Sequence, residues 1–332
     1  MYLYTNQLSG PIPPALGKLT SLKDLQLSIN DLTGQIPASL SRLTNLSTLC
    51  LHTNQLSGPI PSELGNLTSL QDLRLSINHL TGQIPTSLSG LTGLSTRYLC
   101  TNQLSGPIPS ELGKLASLQD LQLSTNNLTS QIPASLSRLT NMSTLYLHTN
   151  QLSGPIPPEL GNLTSLQDLR LSKNHLTGKI PTSLSGLTSL STLDFYTNQL
   201  SGPIPSELGK LASLQNLDLS ENHLTGQVPT SLSGLTSLIT LNLDDNQLFG
   251  SIPPELGNLK SLQSLSLNEN NLTGQIPTSF GNLGHLYYLG LLLNQLSGSI
   301  PSELGKLKKL VSVLMAYNRF SGDLPELCGG RV

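Results

Sequence analysis

One residue sets the terms for this chain: an asparagine that returns every 24 positions, from Asn6 through Asn30, Asn54, Asn78, Asn102, Asn126, Asn150, Asn174, Asn198, Asn222, Asn246, Asn270 and Asn294 to Asn318. The same frame surrounds each one, as in Leu166-x-x-Leu169-x-Leu171-x-x-Asn174-x-Leu176-Thr177-Gly178-x-Ile180-Pro181-x-x-Leu184-x-x-Leu187. A fixed period of this length marks a repeat architecture, in which each unit is too small to bury its own apolar face and stability comes from stacking on its neighbours.

Each position of the frame has a physical reading. The two leucines at −5 and −3 from the asparagine have strand spacing, so both point inward and the residues between them outward. The asparagine stands where the chain leaves the strand. There its carboxamide can satisfy backbone groups of its own and neighbouring coils, which otherwise are buried unpaired at about 1–3 kcal/mol each. A glycine at +4 permits a tight turn, and the proline at +7 presets φ for a short helical turn. The segment that follows, such as Pro157 to Leu163, is too short for an α-helix and is expected to form a 3-10 turn. The expected class is therefore α/β, mostly β with short 3-10 turns, in a single domain over residues 1–332 with about 13–14 units. The first unit begins mid-frame, with Met1 at a strand leucine position, and the last is incomplete.

A second period overlies the first. Units reading Thr-Asn-Gln-Leu-Ser-Gly-Pro-Ile-Pro (Thr149 to Pro157) alternate with units reading Asn-His-Leu-Thr-Gly-x-Ile-Pro (Asn174 to Pro181), so that sequence similarity often returns every 48 residues. From about residue 239 the alternation weakens and the outward positions diversify. Charged residues are only 11% of the chain and its net charge is −2, which leaves no electrostatic footprint for nucleic acid. No apolar run approaches the roughly 18 residues needed to span a bilayer, and no signal peptide is visible at the N-terminus.

The extension after the asparagine, in Leu56-Ser57-Gly58-Pro59-Ile60-Pro61 and Leu272-Thr273-Gly274-Gln275-Ile276-Pro277, resembles the plant-specific subclass of leucine-rich repeats, and most of all the ectodomains of plant leucine-rich-repeat receptor-like kinases. That resemblance implies a right-handed horseshoe or superhelical solenoid with a parallel inner sheet and a lateral sheet from the Gly-x-Ile-Pro segment. It implies an extracellular module, at the plasma membrane or in the cell wall, that recognises a peptide or protein on its concave face. A co-receptor would dock near the last repeats. The paired-cysteine caps of the family are missing, and so are the kinase motifs: there is no Gly-rich phosphate loop and no His-Arg-Asp sequence. No enzyme activity, cofactor or metal is expected of this chain. A secreted defence protein resembling polygalacturonase inhibitors is the second reading. Ice binding by Thr53, Thr101, Thr149 and Thr197 is a weak third, because these residues fall on alternate strands of a curved face.

In such an architecture function resides on the outward strand positions, −7, −6, −4, −2 and −1. In the first half these are repetitive: Asp24, Asp72, Asp120 and Asp168 at −6, with Gln26, Arg74, Gln122 and Arg170 at −4. Asp and Arg two residues apart are expected to form exposed ion pairs worth at most about 1 kcal/mol. The second half differs. Asp194 and Asp218 hold −4, Glu221, Asp245 and Glu269 hold −1 in successive units, and Asp244 stands beside them at −2. Strands about 4.8 Å apart would place these carboxylates in one field. Either they select a basic ligand or they are an ordinary hydrated acidic surface. Beyond them Tyr287, Tyr288, Leu292, Leu293, Leu314 and Tyr317 turn the outward positions apolar, with Tyr288 and Leu292 as candidate ligand contacts.

The remaining candidates are weaker. The histidines lack metal-ligand spacing, and Cys50 and Cys100, two strands apart, are too distant for a disulfide; Cys328 completes an odd set. Sequons at Asn45, Asn66, Asn127, Asn141, Asn162 and Asn271 are candidate glycosylation sites, all off the inner strands. Two residues break the frame. Arg97 takes a −5 position where leucine is otherwise expected, and an unpartnered guanidinium there must snorkel outward or distort its strand. Ser130 stands where other units have the turn glycine.

Overall fold

A computed structural model describes residues 1–323 of the chain, so Cys328 and the last residues lie outside the described part. The chain forms two compact units, Met1–His175 and Leu176–Val332, the latter described as far as Asp323.

The first unit is a stack of coils. Each coil contributes a three-residue strand to a parallel sheet, Asp24–Gln26, Thr48–Cys50, Asp72–Arg74, Thr96–Tyr98, Asp120–Gln122, Thr144–Tyr146 and Asp168–Arg170. The register runs straight across the leucine column, Leu25 opposite Leu49, Leu49 opposite Leu73, Leu121 opposite Leu145 and Leu145 opposite Leu169. These strands span positions −6 to −4, shorter than the frame led us to expect, because the leucine at −3 lies outside the ladder. Its amide still bonds the next coil, as Leu147 N–H does to the Arg170 carbonyl at 2.9 Å. Its carbonyl, however, is taken by asparagine side chains and is not available to another strand.

Asn150 shows the arrangement. Its Nδ2 donates to the carbonyls of Leu147 in its own coil and Leu123 in the preceding one, each at 3.0 Å. Its Oδ1 accepts from the Leu128 N–H at 3.0 Å. One buried side chain thus serves backbone groups of two coils, as its position predicts.

A second parallel sheet runs through the lateral strands, among them Gln55–Pro59, His79–Gly82, Gln103–Pro107, Asn127–Ser130 and Gln151–Pro155. It is centred on the Gln/His-Leu-Ser/Thr-Gly segment, earlier than the Gly-x-Ile-Pro segment expected. The reason is chemical: the second proline has no N–H for a ladder, and the isoleucine points into the core, where Ile60 and Ile108 are buried. Each coil closes with a five-residue 3-10 turn, as at Pro158–Asn162 after Pro157 at φ −61. The leucines of these turns, Leu64, Leu88, Leu112, Leu136 and Leu160, complete the core with no exposure.

The second unit repeats this plan. Its strands Thr192–Asp194, Asn216–Asp218, Thr240–Asn242, Ser264–Ser266, Tyr288–Gly290 and Ser312–Leu314 pair in parallel, with 3-10 turns from Thr182–Gly186 to Ser302–Lys306. The lateral ladder changes at Phe249–Ser251, where a new four-stranded sheet starts. That point falls where the 48-residue alternation fades in the sequence.

Candidate functional site

The exposed face of the leucine-strand sheet in the second unit collects the acidic residues that the sequence singled out. Asp194 lies in register with Asp218, and Asp218 with Asn242, on adjacent strands of the −4 column. The carboxylates nearest the sheet are not bare charges. Asp218 Oδ1 accepts from the Ser220 hydroxyl at 2.6 Å and the Ser220 N–H at 3.0 Å, while Oδ2 accepts from Asn242 Nδ2 at 3.3 Å. Asp244 is more enclosed. It accepts from the Ser266 hydroxyl at 2.7 Å, the Asn268 N–H at 2.6 Å and Asn268 Nδ2 at 3.1 Å. Burial holds the Asp244 carboxyl above the usual carboxylate range, and these donors offset part of that shift.

Hydrogen-bond donors between the carboxylates therefore offset part of their mutual repulsion, which persists in the upward push of the Asp218 charge on Asp244. Asn268 is the hub: it also donates to the Tyr288 hydroxyl at 3.4 Å, and its Oδ1 accepts from the Leu292 N–H at 2.8 Å. Gly290 makes room for it, since a Cβ there would stand 2.6 Å from Asn268 Nδ2 and 2.7 Å from Ser266 Oγ. Ser220, Asn242, Ser266 and Asn268 were missed by a reading that counted charges. Their signal was present in the sequence, because they occupy the same −2 and −4 columns as the aspartates.

The −1 column behaves differently from the expected outward strand position. Glu221, Asp245 and Glu269 have φ of 51°, 46° and 52°, and every −1 residue from Thr5 to Tyr317 is likewise left-handed. The cause is the ladder itself. Glu221 N–H donates to the Asp244 carbonyl and Glu269 N–H to the Leu292 carbonyl, so the coil must turn sharply at −1 while both backbone groups stay paired. The three acidic side chains are carried on that turn at the sheet's edge. Glu221 accepts from the Thr197 hydroxyl at 2.7 Å, and all three are exposed. Tyr288 and Leu292 are half-buried at the end of the same face, and Tyr287 and Leu293 are exposed beside them.

The first unit presents a partly neutralised face. Arg74 pairs with Asp72 and Arg170 with Asp168, each at 2.9 Å, as the spacing predicts. Each guanidinium also lies over a ring, Arg74 over Tyr98 at 5.2 Å and Arg170 over Tyr146 at 4.9 Å. The Tyr146 hydroxyl donates to Asp168 at 2.7 Å. Cys50 and Cys100 are free thiols, and burial pushes the Cys50 thiol up to about 11. His52 and His148 are held below the usual imidazole range, chiefly by burial, and no group of metal-ligating side chains forms among the described residues. The six sequon asparagines are all exposed, with Asn45 and Asn141 donating to the carbonyls of Thr20 and Ala116.

Arg97 departs from expectation. It neither snorkels nor distorts its strand: Thr96–Tyr98 pairs in register with both neighbours, Arg97 facing Leu73 and Leu121. The side chain has no exposure, and Nε, Nη1 and Nη2 have no hydrogen-bond partner. Burial alone lowers its pKa to about 9. The inter-strand ladder on both sides prevails over the cost of the buried charge.

No curated protein sequence matches the chain. Solved structures do. The plant peptide hormone receptor RGFR1 in complex with RGF2 is 41% identical, with a TM-score of 0.97 over 98% of this chain and 52% of that one. The Arabidopsis receptor kinase HAESA, in complex with the peptide hormone IDA and the co-receptor SERK1, is 35% identical with a TM-score of 0.79, over 98% of this chain and 63% of that one. The chain thus spans about half to two-thirds of these receptor structures. A leucine-rich-repeat protein of Leptospira interrogans, LIC12759, is 33% identical with a TM-score of 0.78, over 95% of this chain and 77% of that one. Family descriptions match along the sequence: "Leucine-rich repeat region" over 88–203, "Leucine rich repeat" over 204–248, and "Leucine Rich Repeat" over 45–67, 69–91 and 261–283. With the asparagine ladder, the parallel sheets and the 3-10 turns in place, these matches show that the chain belongs to the leucine-rich-repeat family.

Proposed function

We propose that this chain is the ligand-recognition segment of an extracellular plant receptor, and that it binds a peptide or protein partner without catalysing a reaction on it. The observation that carries this reading is the likeness to receptor structures described with peptide hormones bound, over nearly the whole chain. The ligand is proposed to lie across the exposed face of the leucine-strand sheet in the second unit. There the column Glu221, Asp245 and Glu269 would meet Lys or Arg side chains, and Tyr288 and Leu292 would seat an apolar residue. Asp218 and Asp244 act behind that column, because their oxygens already accept from Ser220, Asn242, Ser266 and Asn268. A co-receptor is proposed to dock near the last coils, where Val311 and Tyr317 are 85% and 77% exposed.

The test is calorimetric titration of the chain with short Lys- and Arg-rich synthetic peptides and with acid-rich peptides of equal length. The basic set should bind and weaken as salt rises, since exposed charges are screened beyond about 8 Å at physiological ionic strength. Changing Glu221, Asp245 and Glu269 together to Lys should abolish that binding, whereas changing Asp24 and Asp72 should have little effect. Equal binding of both peptide sets, or equal losses from both sets of substitutions, removes the acidic column from the ligand site.

A further inference from the structure

The coil that carries Arg97 differs from its equivalents in one core side chain and in one side-chain bond to the preceding coil. Its counterparts 48 residues away on either side have Leu49 and Leu145 where it has Arg97, both fully buried. They also have Asn45 and Asn141, whose side chains tie the coil to the one before by donating to Thr20 and Ala116 carbonyls at 3.0 and 3.1 Å. At the equivalent position this coil has Gly93, which has no side chain to make that bond. Arg97 contributes the only buried side-chain nitrogens or oxygens without a partner among the described residues. In the following coil the lateral strand Asn127–Ser130 ends on Ser130 at φ 70, a conformation suited to glycine. In a stack whose stability is a sum of coil and nearest-neighbour terms, a fault in one coil weakens its own two interfaces and spares the rest.

We propose that the first unit opens locally at the Arg97 coil, parting the strands Asp72–Arg74 and Asp120–Gln122 from Thr96–Tyr98 while the coils on either side remain folded. Opening lets the guanidinium reach water, and it also dismantles part of the exposed face, because the Tyr98 ring under Arg74 belongs to this strand.

Native-state hydrogen exchange on the whole chain tests this. The informative amides are Leu75, bonded to the Tyr98 carbonyl at 2.8 Å, and Leu99, bonded to the Gln122 carbonyl at 2.9 Å. Their controls are Leu51 and Leu147, bonded to Arg74 and Arg170 carbonyls at 2.8 and 2.9 Å. Leu75 and Leu99 should exchange at least about tenfold faster than the controls, at a rate insensitive to low denaturant as local openings are. In Arg97→Leu the difference should disappear. Equal protection in the native chain overturns the proposal, and so does a difference that persists in Arg97→Leu. Trypsin gives a second readout on the unmodified protein: early cleavage after Arg97, retained in Arg97→Lys, is expected, and cleavage there only after the exposed sites Arg42 and Arg138 have been followed by global unfolding overturns it.

Discussion

At Asn150 one carboxamide accepts the Leu128 N–H and donates to two leucine carbonyls, all inside the stack. Asn150→Leu keeps the branching and the number of side-chain heavy atoms but removes every bond, leaving buried groups that cost about 1–3 kcal/mol apiece. We expect a loss of roughly 3–5 kcal/mol by denaturant unfolding; a loss below about 1 kcal/mol would mean that water replaces the side chain. Arg97→Leu should act in the opposite sense and raise stability by about 3 kcal/mol, since it removes an uncompensated buried charge. The pH dependence has a definite sign. With the folded guanidinium pKa at about 9, well below its ordinary range, the unfolded chain binds the proton more tightly. The penalty is therefore full below pH 9 and shrinks as pH rises from there toward the ordinary guanidinium range. The stability gap between Arg97→Leu and the native chain should narrow over that window, and a constant gap would show that burial of charge is not its cause. Ser130 at φ 70 is a smaller fault of the backbone. Relief of about 1–2 kcal/mol of left-handed strain, less about 0.5–1 kcal/mol of glycine entropy, gives Ser130→Gly a small net gain in thermal unfolding.

The 3-10 turns explain the 48-residue period. In one type of unit the turn carries glycine, as at Gly65 and Gly113, where a Cβ would run into the backbone carbonyls of Ser87 and Ser135 in the following unit. Those serines complete the joint, since the Ser87 and Ser135 hydroxyls donate back to the carbonyls of Ser62 and Ser110 at 2.6 Å. The alternate units have serine at the equivalent position as far as Ser233, Ser41 and Ser89 among them, so the close approach there is made at every second joint, and Gly281, where a Cβ would stand 2.7 Å from the Glu303 carbonyl oxygen, ends the alternation. Gly113→Ala should therefore be destabilising by about 1–3 kcal/mol, as overpacking usually is. Ser89→Ala should be nearly neutral. Comparable thermal shifts in the two variants would show that both joints are equally close.

For the whole molecule we retain the single domain over residues 1–332 as a proposal, based on the unbroken spacing of the frame asparagines from Asn6 to Asn318. Calorimetry should then give one main transition, and two well-resolved transitions would separate the units Met1–His175 and Leu176–Val332. Glycosylation at Asn45, Asn66, Asn127, Asn141, Asn162 and Asn271 is likewise proposed. All six side chains are exposed, and a glycosylated amide keeps one N–H for the bonds that Asn45 and Asn141 make. Peptide mapping of chain secreted from plant cells should find glycan at these positions; their uniform absence would argue against passage through the secretory route.

The sequence by itself determined the coil: inward leucines, the asparagine bonded to backbone, the glycine turn, the 3-10 segment and the paired Asp72–Arg74 and Asp168–Arg170. These follow from the period and from residue chemistry, and hold for any coil whose neighbour repeats the same frame. The tertiary structure alone decided what depends on that neighbour. Thr53 and Ile77 carry no mark of a left-handed backbone, with φ at 56° in both, because the ladder to adjacent coils imposes it. Arg97 is buried because the strands on either side hold its backbone in register, against the preference of its own side chain for water. Asp218 and Asp244 are partnered because Asn242, Ser266 and Asn268 stand 22 to 24 residues farther along, one coil away, a distance that a reading confined to single units does not join.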